Sequence, residues 1–179
     1  KKLTFPFTMF DHPQIRSWRP TAPMFVDPRN IYIGSMKPAR LRKLAALGIP
    51  TLLRCDKDFK PSCGERFENE GRLLMSQLAD VYAQHRTTAV TVEPSIKKTG
   101  WILRRIVESA HCGTPALVHE DLLDSTDKRY AFTDVTRHEW FHLSDDEMVD
   151  FYAKLADLQE RSKLAIEQSE ALRQVEVDF

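Results

Sequence analysis

Apolar positions along this chain come first in short runs and later at helical spacing. Ile31-Tyr32-Ile33, Thr51-Leu52-Leu53, Thr88 to Glu93, Pro115 to Val118 and Tyr130 to Val135 are short and mostly β-branched, aliphatic or aromatic. Each predicts a strand. Between them lie helical patterns. Pro38 opens one, Leu41, Leu44 and Leu47 share its face, and Gly48 stops it. Leu73 to Gln84 predicts a second helix. Ser95 can cap a third that runs to about His111, with Ile102 and Ile106 inward. Asp56 to Gly71 is charged and irregular, and predicts a loop. The last third opens on Ser144-Asp145-Asp146-Glu147, a capping box in which the serine oxygen and the glutamate each satisfy an orphan amide. The helix it starts is expected to run to about Arg173, with Met148, Phe151, Tyr152, Leu155 and Leu158 as its apolar stripe. Beyond Leu158 charge dominates, so that part should project into solvent or meet a polar partner.

Residues 1–30 break both patterns. They carry five prolines among Phe5, Phe7, Phe10, Trp18 and Phe25. Proline fixes φ and removes donors, so this stretch reads as an extended arm that packs on its own domain or on a neighbour. The elements together predict an α+β fold: a small mixed sheet with packed helices, an extended N-terminal arm and a long C-terminal helix. The divisions fall at 1–30 for the arm, 31–143 for the mixed α/β core and 144–179 for the helix. No internal repeat and no low-complexity tract interrupts them.

Composition narrows the class. The chain has 179 residues, 42% of them hydrophobic, enough for one core. Lys plus Arg and Asp plus Glu are both 26, so the formal charge is zero. An RNA-coating protein would be basic, so RNA cannot be the sole partner. A subunit enclosed by other proteins has no need of net charge. The three cysteines are widely spaced and form no C-x-x-C, which argues against a thiolate zinc site and for a reducing compartment. No apolar run is long enough to span a bilayer, so no membrane partner is expected. The chain begins Lys1-Lys2 without Met, which reads as a processed chain whose targeting segment has gone.

Three patterns could carry chemistry. His138-Glu139-Trp140-Phe141-His142 is an H-E-x-x-H pentad. On a helix, His138 and His142 would share a face and bind one zinc, with Glu139 as base to the metal-bound water. But the strand signal to Val135 and the Ser144 cap leave it little helix. No spaced third ligand appears, although Glu160 and Glu167 are available. The plainer reading is a short connector whose Trp140 and Phe141 pack inward, and no metal or other cofactor is expected. Gln174-x-Glu176 resembles the Q-x-E of ADP-ribosyltransferases, which lies on a strand, but a charged helix end explains it more simply. Ile31 to Ser35, Leu47-Gly48-Ile49 and Leu117-Val118-His119 are similar to a dual-specificity phosphatase pattern. No cysteine here has an arginine six positions later, so that reaction is excluded while a distant fold likeness is not. No phosphate-cradling glycine motif is present.

Basic residues supply the binding candidates. Arg16 and Arg19 in the arm join Lys37, Arg40, Arg42 and Lys43 on the first helix as the expected RNA-backbone contacts. Lys97, Lys98, Arg104 and Arg105 form a second group. For either group alone, a solvated helix face is the simpler account.

Several landmarks in order resemble one family. The stretch from Leu117 to Thr136 leads from acidic residues into Tyr130, Phe132, Thr133, Asp134 and Val135, and an acidic helix start follows from Ser144 to Tyr152. Upstream, Phe25 to Pro28, Phe59 to Pro61 and Leu74 to Leu78 keep the same order. Together they resemble the mitochondrion-specific small-subunit ribosomal protein family numbered twenty-two. That resemblance implies a non-catalytic structural subunit of the mitochondrial ribosome, in the matrix. It also implies neighbouring ribosomal proteins and limited rRNA as partners. The zinc-peptidase, ADP-ribosyltransferase-like and inactive phosphatase-like readings stand as alternatives.

Overall fold

The computed structural model of the chain describes residues 27–34, 38–56, 67–91, 104–120 and 139–177, apart from the side chains of Met75, Arg104, Phe141 and 172–177. Five strands form one sheet in the order β3-β2-β1-β4-β5. They are β1 (Asp27–Ile33), β2 (Thr51–Arg54), β3 (Phe67–Asn69), β4 (His85–Val90) and β5 (Ala116–Val118). The described helices are α1 (Pro38–Ala46), α2 (Leu78–Gln84), α3 (Arg104–His111), α4 (Asp145–Lys154) and α5 (Leu158–Val177). Every strand pairing is parallel. The expected mixed α+β sheet is therefore corrected to an all-parallel α/β sheet of Rossmann-like order. The cause lies in the connections. Helices separate β1 from β2, β3 from β4 and β4 from β5, and such crossovers return the chain in the same direction.

A sheet covered on both faces buries neighbouring residues in pairs. Ile31 and Leu52, partners across β1 and β2, join Leu78, Val81 and Tyr82 of α2 in one cluster. Tyr32 and Leu53, the next pair, join Leu41 and Leu44 of α1 in the other. Each fully buried leucine contributes about 1.5–3 kcal/mol by leaving water. Pro28 stands in a central strand, where its missing N–H is tolerated because the β1–β4 register shifts between Asp27 and Asn30. Asn30 repairs the ladder. Its side-chain oxygen accepts from the Ala89 amide and from Thr87 Oγ1 (3.2 Å), and its amide donates to Thr51 Oγ1 (3.1 Å).

The C-terminal region departs from one long helix. The Ser144 capping box forms as expected. α4 ends at Lys154, and Asp157 then caps a second helix, its Oδ1 accepting from the amides of Gln159 (2.7 Å) and Glu160 (3.3 Å). α5 neither projects nor waits for a polar partner. It packs along α3 and buries Arg161, Leu164, Ala165, Gln168, Ser169 and Ala171. Gln168 acts as a sixth strand would. Its Oε1 accepts from the Ala116 N–H (2.7 Å) and its Nε2 donates to the Ala116 carbonyl (2.8 Å), closing the β5 edge.

The stretch expected to be loop, Asp56 to Gly71, contains β3. The predicted helix from Leu73 begins as a 3₁₀ turn at Met75–Gln77 and becomes α-helical only at Leu78. β4 starts at His85 rather than Thr88. The strand expected at Tyr130 to Val135, the Ser95 cap, Ile102 and the arm to residue 26 lie outside the described residues. No helix among the described residues is long and apolar enough to cross a membrane.

Candidate functional site

Connections from β1 step through β2 to β3 on one side, and from β4 to β5 on the other. The strand order therefore reverses between β1 and β4. In open parallel sheets a crevice forms there, outside the carboxyl ends of the strands, and ligands bind in it. In this chain that position falls at Ile33, the end of β1, with Gly34 after it, and at Val90, the end of β4, with Thr91 after it. Thr91 is buried, and its hydroxyl donates to the Arg40 carbonyl (3.4 Å), tying β4 to the first turn of α1.

Arg105 lies at the β1 side of this position. It comes from α3, after β4, yet its guanidinium rests on the Tyr32 ring of β1, with Cζ 4.9 Å from the centroid. It also lies against Gly34, which holds φ +121°, a region side chains rarely adopt. A Cβ placed on Gly34 would stand 2.7 Å from Arg105 Nη2. Glycine leaves room there for the guanidinium, which lies against the end of β1. Among the described residues, no hydrogen bond or ion pair engages Arg105. Cys55, at the end of β2, is a buried thiol pushed up to about 11 by burial, and the nearby Arg105 charge only partly offsets this. It stays protonated at neutral pH, as does buried Cys112, pushed up to about 12.

Other charges at the same end have partners. Arg54 pairs with Glu70 and Arg72 with Asp56. The buried His119, just past β5, holds Asp145 Oδ1 through Nε2 at 2.8 Å, and Lys43 Nζ meets the same carboxylate at 2.6 Å. The Lys43 hydrogen bond, then that of His119, keeps the Asp145 carboxyl below its ordinary value. This set joins α1, β5 and the start of α4.

Three of the expected RNA contacts fall among the described residues. Arg16, Arg19 and Lys37 lie outside the described residues. Arg40 is buried, Lys43 is held by Asp145, and Arg42 is exposed. Of the second basic group, Lys97 and Lys98 lie outside the described residues, while Arg105 reaches the crevice. His138 is also outside them. Glu139–Phe141 forms a 3₁₀ turn, Trp140 is buried as its plainer reading required, and His142 is half-buried. Gln174 and Glu176 fall in α5, which removes the strand an ADP-ribosyltransferase pair needs.

A cleft of about 450 Å³ lies between that turn, α4 and α5. It gathers Glu139, Glu160 and Glu167 with Trp140, Phe151, Leu155, Leu164, Lys154 and Lys163. Lys154 and Glu160 are bonded at 3.1 Å. Among the described residues, no three His, Cys, Asp or Glu side chains converge on a metal position. The cleft takes no residue from β1 or β4, so the crevice remains the better candidate.

No family model matches the chain, and no curated protein matches it in sequence. Solved structures do match in fold. T4 phage β-glucosyltransferase with UDP and Mn2+ aligns with a TM-score of 0.68 at 14% identity, over 96% of this chain and 50% of that one. A point mutant of the phage enzyme in complex with UDP-glucose gives 0.64 at 13%, over 87% and 45%. The DNA-modifying β-glucosyltransferase, with and without uridine diphosphoglucose, gives 0.62 at 15%, over 88% and 48%. The chain spans about half the length of these structures. The expected membership of a mitochondrial ribosomal family is thereby overturned, and nothing supports a ribosomal protein. The expectation of a non-catalytic chain falls with it, because an enzyme carries this fold. The described residues form a five-stranded, Rossmann-like sheet of the kind found in a glycosyltransferase domain.

Proposed function

We propose that this chain is a glycosyltransferase domain that binds a nucleoside diphosphate sugar at the carboxyl ends of β1 and β4. The observation that carries the reading is the reversal of strand order between those two strands in an all-parallel sheet. The likeness to β-glucosyltransferases that hold UDP or UDP-glucose supports it and names the first ligands to try. In such a transfer, the bond between the sugar's anomeric carbon and the diphosphate oxygen breaks. The electron pair leaves with the diphosphate. The acceptor hydroxyl forms the new bond and gives up its proton. A fixed cation beside the diphosphate stabilises the charge growing on that leaving group.

Binding is the direct test, because the chain is half the length of the enzymes it resembles. UDP and UDP-glucose should each raise the melting temperature saturably. Ligand at a hundred times its Kd stabilises by about 2.7 kcal/mol. No shift with either ligand at saturating concentration, and no heat in calorimetry, would refute the reading.

A further inference from the structure

We infer that Arg105, laid on Tyr32 and against Gly34, is the receptor for the diphosphate of that nucleotide. The inference rests on the nucleotide-sugar reading and takes it to a named residue. Three observations carry it. First, Arg105 is half-buried at the crevice with no hydrogen bond or ion pair among the described residues. The acids described at this end of the sheet are engaged elsewhere: Glu70 with Arg54, Asp56 with Arg72, and Asp145 with Lys43 and His119. Second, the Tyr32 ring, 4.9 Å away, takes the face of the guanidinium. A guanidinium stacked on its face keeps the donors on its edge, and that fork matches phosphate oxygens two at a time. Third, Gly34 leaves room for the guanidinium, since a Cβ there would stand 2.7 Å from Nη2 unless the arginine tip shifted. The Tyr32 ring and the space over Gly34 seat this charge, and no carboxylate among the described residues neutralises it. An anion from outside the chain would find it already in place.

The test uses the whole chain with UDP, inorganic pyrophosphate and uridine as probes, by calorimetry at constant salt. Arg105→Gln should weaken UDP and pyrophosphate about 10- to 100-fold, the range of one or two charge-assisted hydrogen bonds, and leave uridine unchanged. Gly34→Ala should weaken UDP in the same direction by displacing the guanidinium. Arg105→Lys should recover part of the loss, because charge returns without the fork. Circular dichroism and melting of each variant separate misfolding from lost binding. UDP binding equal in Arg105→Gln and the parent chain would overturn this inference and leave the nucleotide reading standing. Pyrophosphate bound through Arg105 with no UDP binding would sustain the anion receptor and overturn the nucleotide reading. A parent chain that binds neither probe would overturn both.

Discussion

Arg29, at the amino end of the sheet, and Arg105, at the carboxyl end, are held differently. At the amino end, Arg29 is grasped by Asp27, at 2.6 Å from Nη2, and by Glu68, at 2.8 Å from Nη1. The Asp27 hydrogen bond, above all, raises the Arg29 pKa and lowers its own. Arg86 lies on the Tyr152 ring at 4.6 Å and reaches the Tyr152 carbonyl, while the Tyr152 hydroxyl donates to the Pro28 carbonyl (2.7 Å). At the carboxyl end, Arg105 is positioned as carefully by Tyr32 and Gly34, yet no acid among the described residues meets it. A charge that finds its partner inside the chain belongs to the fold. Arg105 meets a ring but no acid among the described residues.

Four changes break or sharpen that contrast, the largest first. Asn30→Ala removes the buried amide that supports the β1–β4 ladder and leaves the Ala89 N–H without its acceptor. It should cost about 3 kcal/mol in urea unfolding, since each buried group left unmet costs about 1–3. A loss below the scatter of the fit would show that the ladder does not depend on Asn30. Arg105→Gln should behave in the opposite way. Its loss of stability should stay near about 1 kcal/mol, the worth of one cation–π contact, while nucleotide affinity collapses. A large drop in stability with intact affinity would make Arg105 a structural residue like Arg29.

Acid supplies the third change. His85 is buried at the amino end, and its Nδ1 must donate to the Val81 carbonyl (2.7 Å), because a carbonyl can only accept. Burial, outweighing that bond and the Asp27 charge, holds its pKa below the ordinary value. The unfolded chain therefore binds the proton first. The stability this adds is complete above about pH 6.5 and is lost as pH falls below it. The lowered carboxyl of Asp27 adds a further loss at lower pH, below the ordinary carboxylate value. Urea midpoints should drop from about pH 7 to about pH 5, and His85→Gln should flatten that slope. Equal slopes would remove His85 from the account. The smallest effect belongs to Arg29→Ala. Its side chain is 30% exposed, and partly exposed pairs contribute less than about 1 kcal/mol. A loss of several kcal/mol would mean that the amino-end network is tighter than it looks.

Much of the fold can be read in the sequence where local chemistry is strong. The Pro38 start, the Gly48 stop and the Ser144 capping box all stand where the residues place them. β3 escapes because it is three residues long and mostly polar. Phe67 alone is buried, Glu68 serves Arg29, and the Asn69 side-chain oxygen accepts from the Cys55 amide. The break in the last helix escapes because the apolar positions run on through Leu158, which is 47% exposed. The signal that mattered was Asp157, a cap with Glu160 three residues later. The parallel sheet was legible in principle. Leu52-Leu53 and Leu117-Val118 are consecutive rather than alternating, as strands covered on both faces require. The scattered landmarks that resemble a ribosomal family carry no such constraint on the sheet. The site was legible only in part. Arg105 stood among the basic residues, but its place over Gly34 depends on a crossover that joins residues about seventy positions apart.

The central claim is that ligand enters at the carboxyl ends of β1 and β4. Backbone amide shifts during a UDP titration report this position directly. Gly34, Thr91 and Arg105 should move together and saturate at one Kd, while Asp27, Arg29 and His85 at the opposite end stay still. Shifts confined to the amino end, or to Trp140 and Leu164 in the cleft beside α5, would contradict the account.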